Sequence, residues 1–232
     1  MGLDGSVSSV LAVNGSGSWI WWHWISTHPG EIGHRLEEHI VLTAYAVVIG
    51  FLIAFPLGIF TQRHRSWYGP TLGITSGLYT LPSIALFGLM VPIFGLTRTT
   101  AIVPLVLYTL LLLVRNVVAG LDSVPHDVLD AADGMGYTRN RRLLRVELPL
   151  ALPAIVAGVR IATVSTIGLV TVTALIGQGG LGRFIVDGEQ RGFFKTPIVV
   201  GTVLSIALAV VADLGFLGLL RLATPWSRAG ER

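Results

Sequence analysis

Long apolar runs separated by short polar stretches organise residues 40–220. A helix needs about 20 predominantly apolar residues to cross a hydrocarbon core. Five stretches meet that demand. The first, 40–60, is the cleanest, with Pro56 near its end, where a packed bundle tolerates it. The second, 71–94, contains Pro82. The third, 100–121, carries Arg115 near one end, where its side chain can snorkel to the interface. Stretches 154–176 and 198–220 supply the fourth and fifth. The pattern predicts an all-α polytopic membrane protein with about five transmembrane helices.

Composition agrees. Of 232 residues, 52% are hydrophobic and 12% charged, against roughly 25% charged in soluble domains. Cysteine is absent, which excludes disulfides and thiolate metal ligands. No lysine or arginine precedes Arg35, and His23 interrupts the early apolar stretch, a poor pattern for a signal peptide. Trp19, Trp21, Trp22 and Trp24 read instead as an aromatic segment at the membrane interface, with a short extra span or a leader as alternatives. The expected organisation is an external N-terminal segment at 1–39, a membrane domain at 40–220 with a cytoplasmic loop at 122–149, and a cytoplasmic tail at 221–232.

Basic residues predict orientation. Nine of the sixteen (Arg63, Arg65, Arg139, Arg141, Arg142, Arg145, Arg221, Arg228, Arg232) fall on one side of an alternating plan, and five (Arg35, Arg98, Arg183, Arg191, Lys195) on the other. The richer side belongs in the cytoplasm, which puts the N-terminus outside and the C-terminus inside.

The least membrane-like stretch is 122–149. Pro125 can open a helix in which Val128, Leu129 and Ala132 share a face. Gly134 and Gly136 then permit a break, and Leu143, Leu144 and Val146 mark a second amphipathic turn. Two short helices around a glycine break suit either a protein-docking surface or a basic loop on anionic lipid.

The spacing in this loop resembles the signature of importer permeases: Glu-Ala-Ala, three residues, Gly, nine residues, an aliphatic residue, one more, then Leu-Pro. Asp130, Ala131 and Ala132 take the first places, then Gly136, Val146, Leu148 and Pro149, with Asp130 a shorter arm than glutamate. The resemblance extends over most of the chain beyond residue 30. The stretches 76–83, Leu107-Tyr108, Arg115-Asn116, 134–137 and 175–182 are similar to osmoprotectant permeases, which carry glycine betaine, choline or carnitine. Leu112 and Val117 depart from residues common there, proline and threonine. The resemblance implies a type I ABC importer permease core, not an enzyme. It implies cytoplasmic ATP-binding subunits that use ATP and Mg and seat on 130–149, with no cofactor on this chain. It also implies a second permease chain, identical or related, an external solute-binding protein and a small zwitterionic or quaternary-amine solute, with no nucleic acid.

Candidate pathway or gate residues follow. Pro82 frees backbone in the second span beside the hydroxyls of Thr80 and Ser83, a patch that can line a pathway or be a kink satisfied by neighbours. Tyr79 and Tyr108, with Tyr45, are the aromatics available to a quaternary ammonium, though widely spaced in sequence. Gly177, Gly179, Gly180 and Gly182 allow a tight outer turn that can gate access; the run lacks the Gly-Lys-Ser/Thr ending of a nucleotide loop. The hydroxyls at 163–173 suit helix contacts. Asp213 interrupts the fifth span, and belongs either to the route or to a structural ion pair; Arg160 is suited to snorkelling. The alternatives are the same importer class carrying methionine or another small polar solute, an ion-coupled carrier with Asp213 as relay, and a structural membrane protein.

Overall fold

The computed structural model describes residues 19–223. Expectations for residues 1–18 and for Arg228 and Arg232 lie outside them. The chain forms α1 (Trp22–Thr27), α2 (Pro29–Arg63), α3 (Tyr68–Thr80), α4 (Ser83–Phe94), α5 (Arg98–Asp122), α6 (His126–Gly134), α7 (Arg139–Arg142), α8 (Leu148–Val172), α9 (Gly182–Gln190) and α10 (Lys195–Ala223). Among the described residues there is no strand. Helices α2, α5, the rod Arg139–Ile176 that includes α8, and α10 are long and apolar enough to span; α3 and α4 make a fifth crossing only as a pair bent by 92°.

That bend departs from the continuous second span predicted at 71–94. Pro82 has no N–H to continue a helix and disfavours helical geometry at the residue before it. Leu81 accordingly turns to φ −61°, ψ 136°, and the chain restarts as a helix at Ser83. Helix α2 also differs, running 35 residues and beginning at Pro29, so the expected boundary at residue 39 falls inside it. Its polar first turns are held by Arg35, whose guanidinium donates to Glu38 at 3.0 Å. The entry to α8 is continuous too. Leu148 N–H reaches back five residues to Leu143 C=O in a π turn, Leu143–Glu147, and this wider turn accommodates Pro149 next in line.

Helix α5 is the central post, packed against α2 and α8 and flanked by α3 and α4. Leu105, Leu113, Val114 and Val117 are fully buried along it. Two glycines of α2 let it approach: a methyl at Gly50 would overlap Thr109, and one at Gly58 would overlap Val117. Such small-residue contacts drive helix association in lipid, where tails are as apolar as leucine. Helix α10 lies against α8 and α9 with most of its surface uncovered.

Helix α1, six residues long, rises only about 9 Å and is too short to span. Trp24 inserts among Leu181, Phe184 and Phe194, and Trp21 N–H donates to Thr196 Oγ1 at 2.9 Å. The aromatic segment is thus a cap on α9 and the start of α10.

Candidate coupling surface and translocation groove

Segment 122–149 folds as expected in outline. Pro125 precedes α6, Ala132 is its buried residue, and Val128 remains exposed. Helix α6 closes with Tyr137 N–H on Ala132 C=O at 3.1 Å, while Gly136 takes φ 76°, a left-handed conformation that favours glycine at this signature position. Asp130 and Ala131 point outward, and Val146, Leu148 and Pro149 are half-buried at the base of α8.

Asp130 makes no ion pair among the described residues; Asp133, one turn on, does. The Arg142 guanidinium bridges Asp133 on α6 and Glu147 in the π turn, the latter at 2.9 Å. Glu147 is only 6% exposed, so this clamp fixes α6 to the root of α8 through a buried carboxylate. In the sequence Arg142 shows only as a basic charge; the clamp forms when α6 and the π turn meet. A glutamate within the amphipathic turn formed by Leu143 and Val146 was the available signal. Arg65 pairs with Asp122 at 2.5 Å and Arg63 donates to Asn140 at 3.2 Å, so the end of α2 and the loop share one side of the bundle. In the same segment Met135 and Leu144 are exposed, as are Arg139, Arg141 and Arg145.

A second feature lies at the α3–α4 break. Tyr79 and Tyr108, 29 positions apart in sequence, meet with ring centroids 5.8 Å apart at 77°. The Tyr108 hydroxyl donates to Leu81 C=O at 2.5 Å, and Thr80 Oγ1 donates to Gly77 C=O at 2.8 Å. An open groove of about 270 Å³ is lined by Tyr79, Leu81, Ser83, Tyr108, Ser165 and Leu169. The threonines of α8 and the turn after it bond back to their own backbone: Thr163 to Val159, Thr166 to Ala162, Thr171 to Gly168 and Thr173 to Val170.

The remaining candidates lie elsewhere. Gly179, Gly180 and Gly182 are buried in a packed turn; a methyl at Gly180, where φ is 45°, would sit 2.6 Å from Arg35 C=O and His39 N. Gly177 is exposed at φ 79°. Asp213 on α10 takes a two-pronged ion pair from Arg160 on α8, Nη2 to Oδ2 at 2.9 Å, so the two residues considered separately in sequence are partners. Tyr45 faces a different cleft, near Glu37, Glu38 and Arg98. Among the described residues no cluster of His, Asp or Glu could hold a metal ion.

Residues 46–220 match the family described as the binding-protein-dependent transport system inner membrane component. The chain belongs to this family. The permease is therefore a multi-pass membrane subunit of an ABC importer, a transport component and not an enzyme. It is 38% identical over 196 residues to the osmoprotectant import permease protein OsmW of Salmonella typhimurium, covering 82% of this chain and 91% of that one. It is 35% identical over 190 residues to the choline transport system permease protein OpuBB of Bacillus subtilis, covering 82% and 87%. A glycine betaine/carnitine/choline transport system permease protein of B. subtilis, OpuCB, is 32% identical over 209 residues, covering 90% and 95%. Its fold is similar to chains of the MetNI methionine ABC transporter, with TM-scores of 0.73 and 0.76 at 23% and 22% identity, over 83% and 85% of this chain and 96% and 98% of those. That likeness establishes the type I importer architecture.

Proposed function

We propose that the permease imports osmoprotectants, small zwitterions or quaternary amines such as glycine betaine, choline or carnitine. The observation that carries this is the similarity, over more than four-fifths of the chain, to permeases named for those solutes. An external binding protein delivers the solute to a pair of permease chains, identical or related. Cytoplasmic subunits bind ATP with Mg and close against the segment that carries Asp130, Ala131, Ala132, Gly136, Val146, Leu148 and Pro149, with Ala132 as its buried anchor. Exposed Met135 and Leu144, in a segment that also exposes Arg139, Arg141 and Arg145, suit a protein seat. The Arg142 clamp then carries loop movement into α8, which biases inward-facing against outward-facing arrangements.

Orientation follows from charge. The side holding Arg63, Arg65 and the 122–149 loop is cytoplasmic, the N-terminus is outside and the C-terminus inside. The buried glycine turn supports the outer surface against α2 and takes part in gating there. Asp213 serves α8–α10 packing, its carboxylate being engaged by Arg160. Uptake of labelled glycine betaine by proteoliposomes holding the permease, its ATPase and its binding protein tests the proposal. ATP-dependent accumulation that vanishes without the binding protein is expected. ATP-independent uptake driven by an ion gradient, or ATP-driven uptake of methionine but not betaine, refutes it.

A further inference from the structure

The groove at the α3–α4 break has a chemistry that matches one kind of solute. Its tyrosine rings stand nearly perpendicular, which makes a corner of two aromatic walls. Tyr79 is 38% exposed, so its ring is accessible, while Tyr108 is held by its hydroxyl on Leu81 C=O. A quaternary ammonium lacks N–H donors and cannot use ordinary hydrogen bonds; the negative face of an aromatic ring is the uncharged group that attracts it.

Two hydroxyls face the same space. Ser83 and Ser165 make no hydrogen bond among the described residues, whereas the threonines around Ser165 on α8 are all satisfied by their own helix. Free hydroxyls offer donors to a carboxylate. None of the residues lining the groove is ionised.

The backbone break orders these groups. Helix α3 ends at Thr80 and α4 starts at Ser83 behind Pro82, with no side-chain cap on α4. The end of α3 presents the negative end of a helix dipole, and the start of α4 the positive end. The tyrosine belongs to the first and Ser83 to the second. These ends would orient a compact zwitterion with its ammonium toward Tyr79 and its carboxylate toward Ser83. Broken helices supply such paired ends at transport sites, and a site without fixed charge releases what it holds.

We propose that this groove is a transit site for the quaternary ammonium head of a zwitterionic solute, with Tyr79 as the cation-facing wall and Ser83 as the carboxylate-facing donor. The proposal rests on the osmoprotectant reading above and adds a recognition step within the membrane chain, after release from the binding protein. It separates the permease's own selectivity from that of the external protein.

The test uses the complete transporter in proteoliposomes with glycine betaine. Position 79 is replaced by phenylalanine, then by mono-, di- and trifluorophenylalanine, which weaken the ring's negative face with little change of shape, and by leucine. Uptake with saturating loaded binding protein is measured first for Tyr79→Phe, the reference of the series. It should then fall stepwise with fluorination, reaching roughly tenfold by the trifluoro ring or leucine, the scale of one desolvated cation–ring contact. Ser83→Ala should lower uptake of glycine betaine more than that of choline, which has no carboxylate. Uptake that is flat across the fluorinated series while the parent transporter accumulates betaine overturns the transit site and leaves the osmoprotectant function intact. A parent transporter that carries no betaine under ATP overturns both.

Discussion

Replacing Gly158 by alanine probes the contact that joins the two helices bracketing segment 122–149, since α5 runs into that segment at Asp122 and α8 leaves it. A methyl at Gly158 would stand 2.3 Å from Asn116 Cβ and 2.8 Å from its Cγ. Carbon atoms settle at about 3.5–4.0 Å, so the helices must part by roughly 1.2 Å or more at this crossing, because turning the Asn116 rotamer moves Cγ but not Cβ. That rotamer is anchored, because Nδ2 donates to Leu112 C=O at 2.7 Å. Overpacking of this kind costs about 1–3 kcal/mol. Alanine also gains up to about 1 kcal/mol of helix propensity over glycine, which would blur a single measurement. Gly168 on the same helix supplies the control: a methyl there meets nothing within 4 Å. The propensity gain is common to both substitutions, so their difference isolates the overlap at about 1–3 kcal/mol. Thermal unfolding of the two variants in one nanodisc preparation at one scan rate should place Gly158→Ala several degrees below Gly168→Ala, as expected for a chain of this size. Asn116→Gly in the Gly158→Ala background removes both carbons that the new methyl meets and should recover part of the loss. Equal midpoints for the two alanine variants would refute the close-packing argument.

Two further outcomes follow from the ion pairs. Arg142→Gln keeps length and some hydrogen bonding but leaves the buried Glu147 without its cation. ATP hydrolysis stimulated by loaded binding protein should fall about tenfold or more, the scale of a lost charged hydrogen bond, while the ATPase still co-purifies; unchanged stimulation would remove the clamp from the coupling route. Asp213→Asn should lower the yield of folded permease by stranding Arg160 in an apolar surrounding, and the exchange Arg160→Asp with Asp213→Arg should restore much of it. If Asp213→Asn instead folds normally and loses transport, measured as yield and uptake side by side, the carboxylate belongs to the route and not to packing.

The apolar runs announced where helices cross because lipid leaves a backbone no other way to satisfy its polar groups, and that constraint acts residue by residue along the chain. The turn within segment 122–149 was legible for the same local reason: Gly136 has its left-handed conformation and Ala132 its buried place within one short stretch. What escaped were features decided between segments. Arg142 gained its role only when α6 and the π turn came together, and Tyr79 and Tyr108 were separate aromatics until the fold paired them. Pro82 shows most clearly why. Pro56, Pro92, Pro104 and Pro153 all lie inside helices that continue through them, yet Pro82 divides its span by 92°. All five remove the same N–H and crowd the same preceding turn, so the ring itself cannot account for the difference. A complete break leaves carbonyls without helical donors, and within a membrane it persists only where protein or a water-filled cavity supplies replacement donors. At Leu81 that donor is the hydroxyl of Tyr108, reaching across from α5. The break in α3–α4 and the aromatic corner of the groove are therefore one arrangement, and substituting Tyr108 by phenylalanine removes the support of the first while preserving the ring of the second.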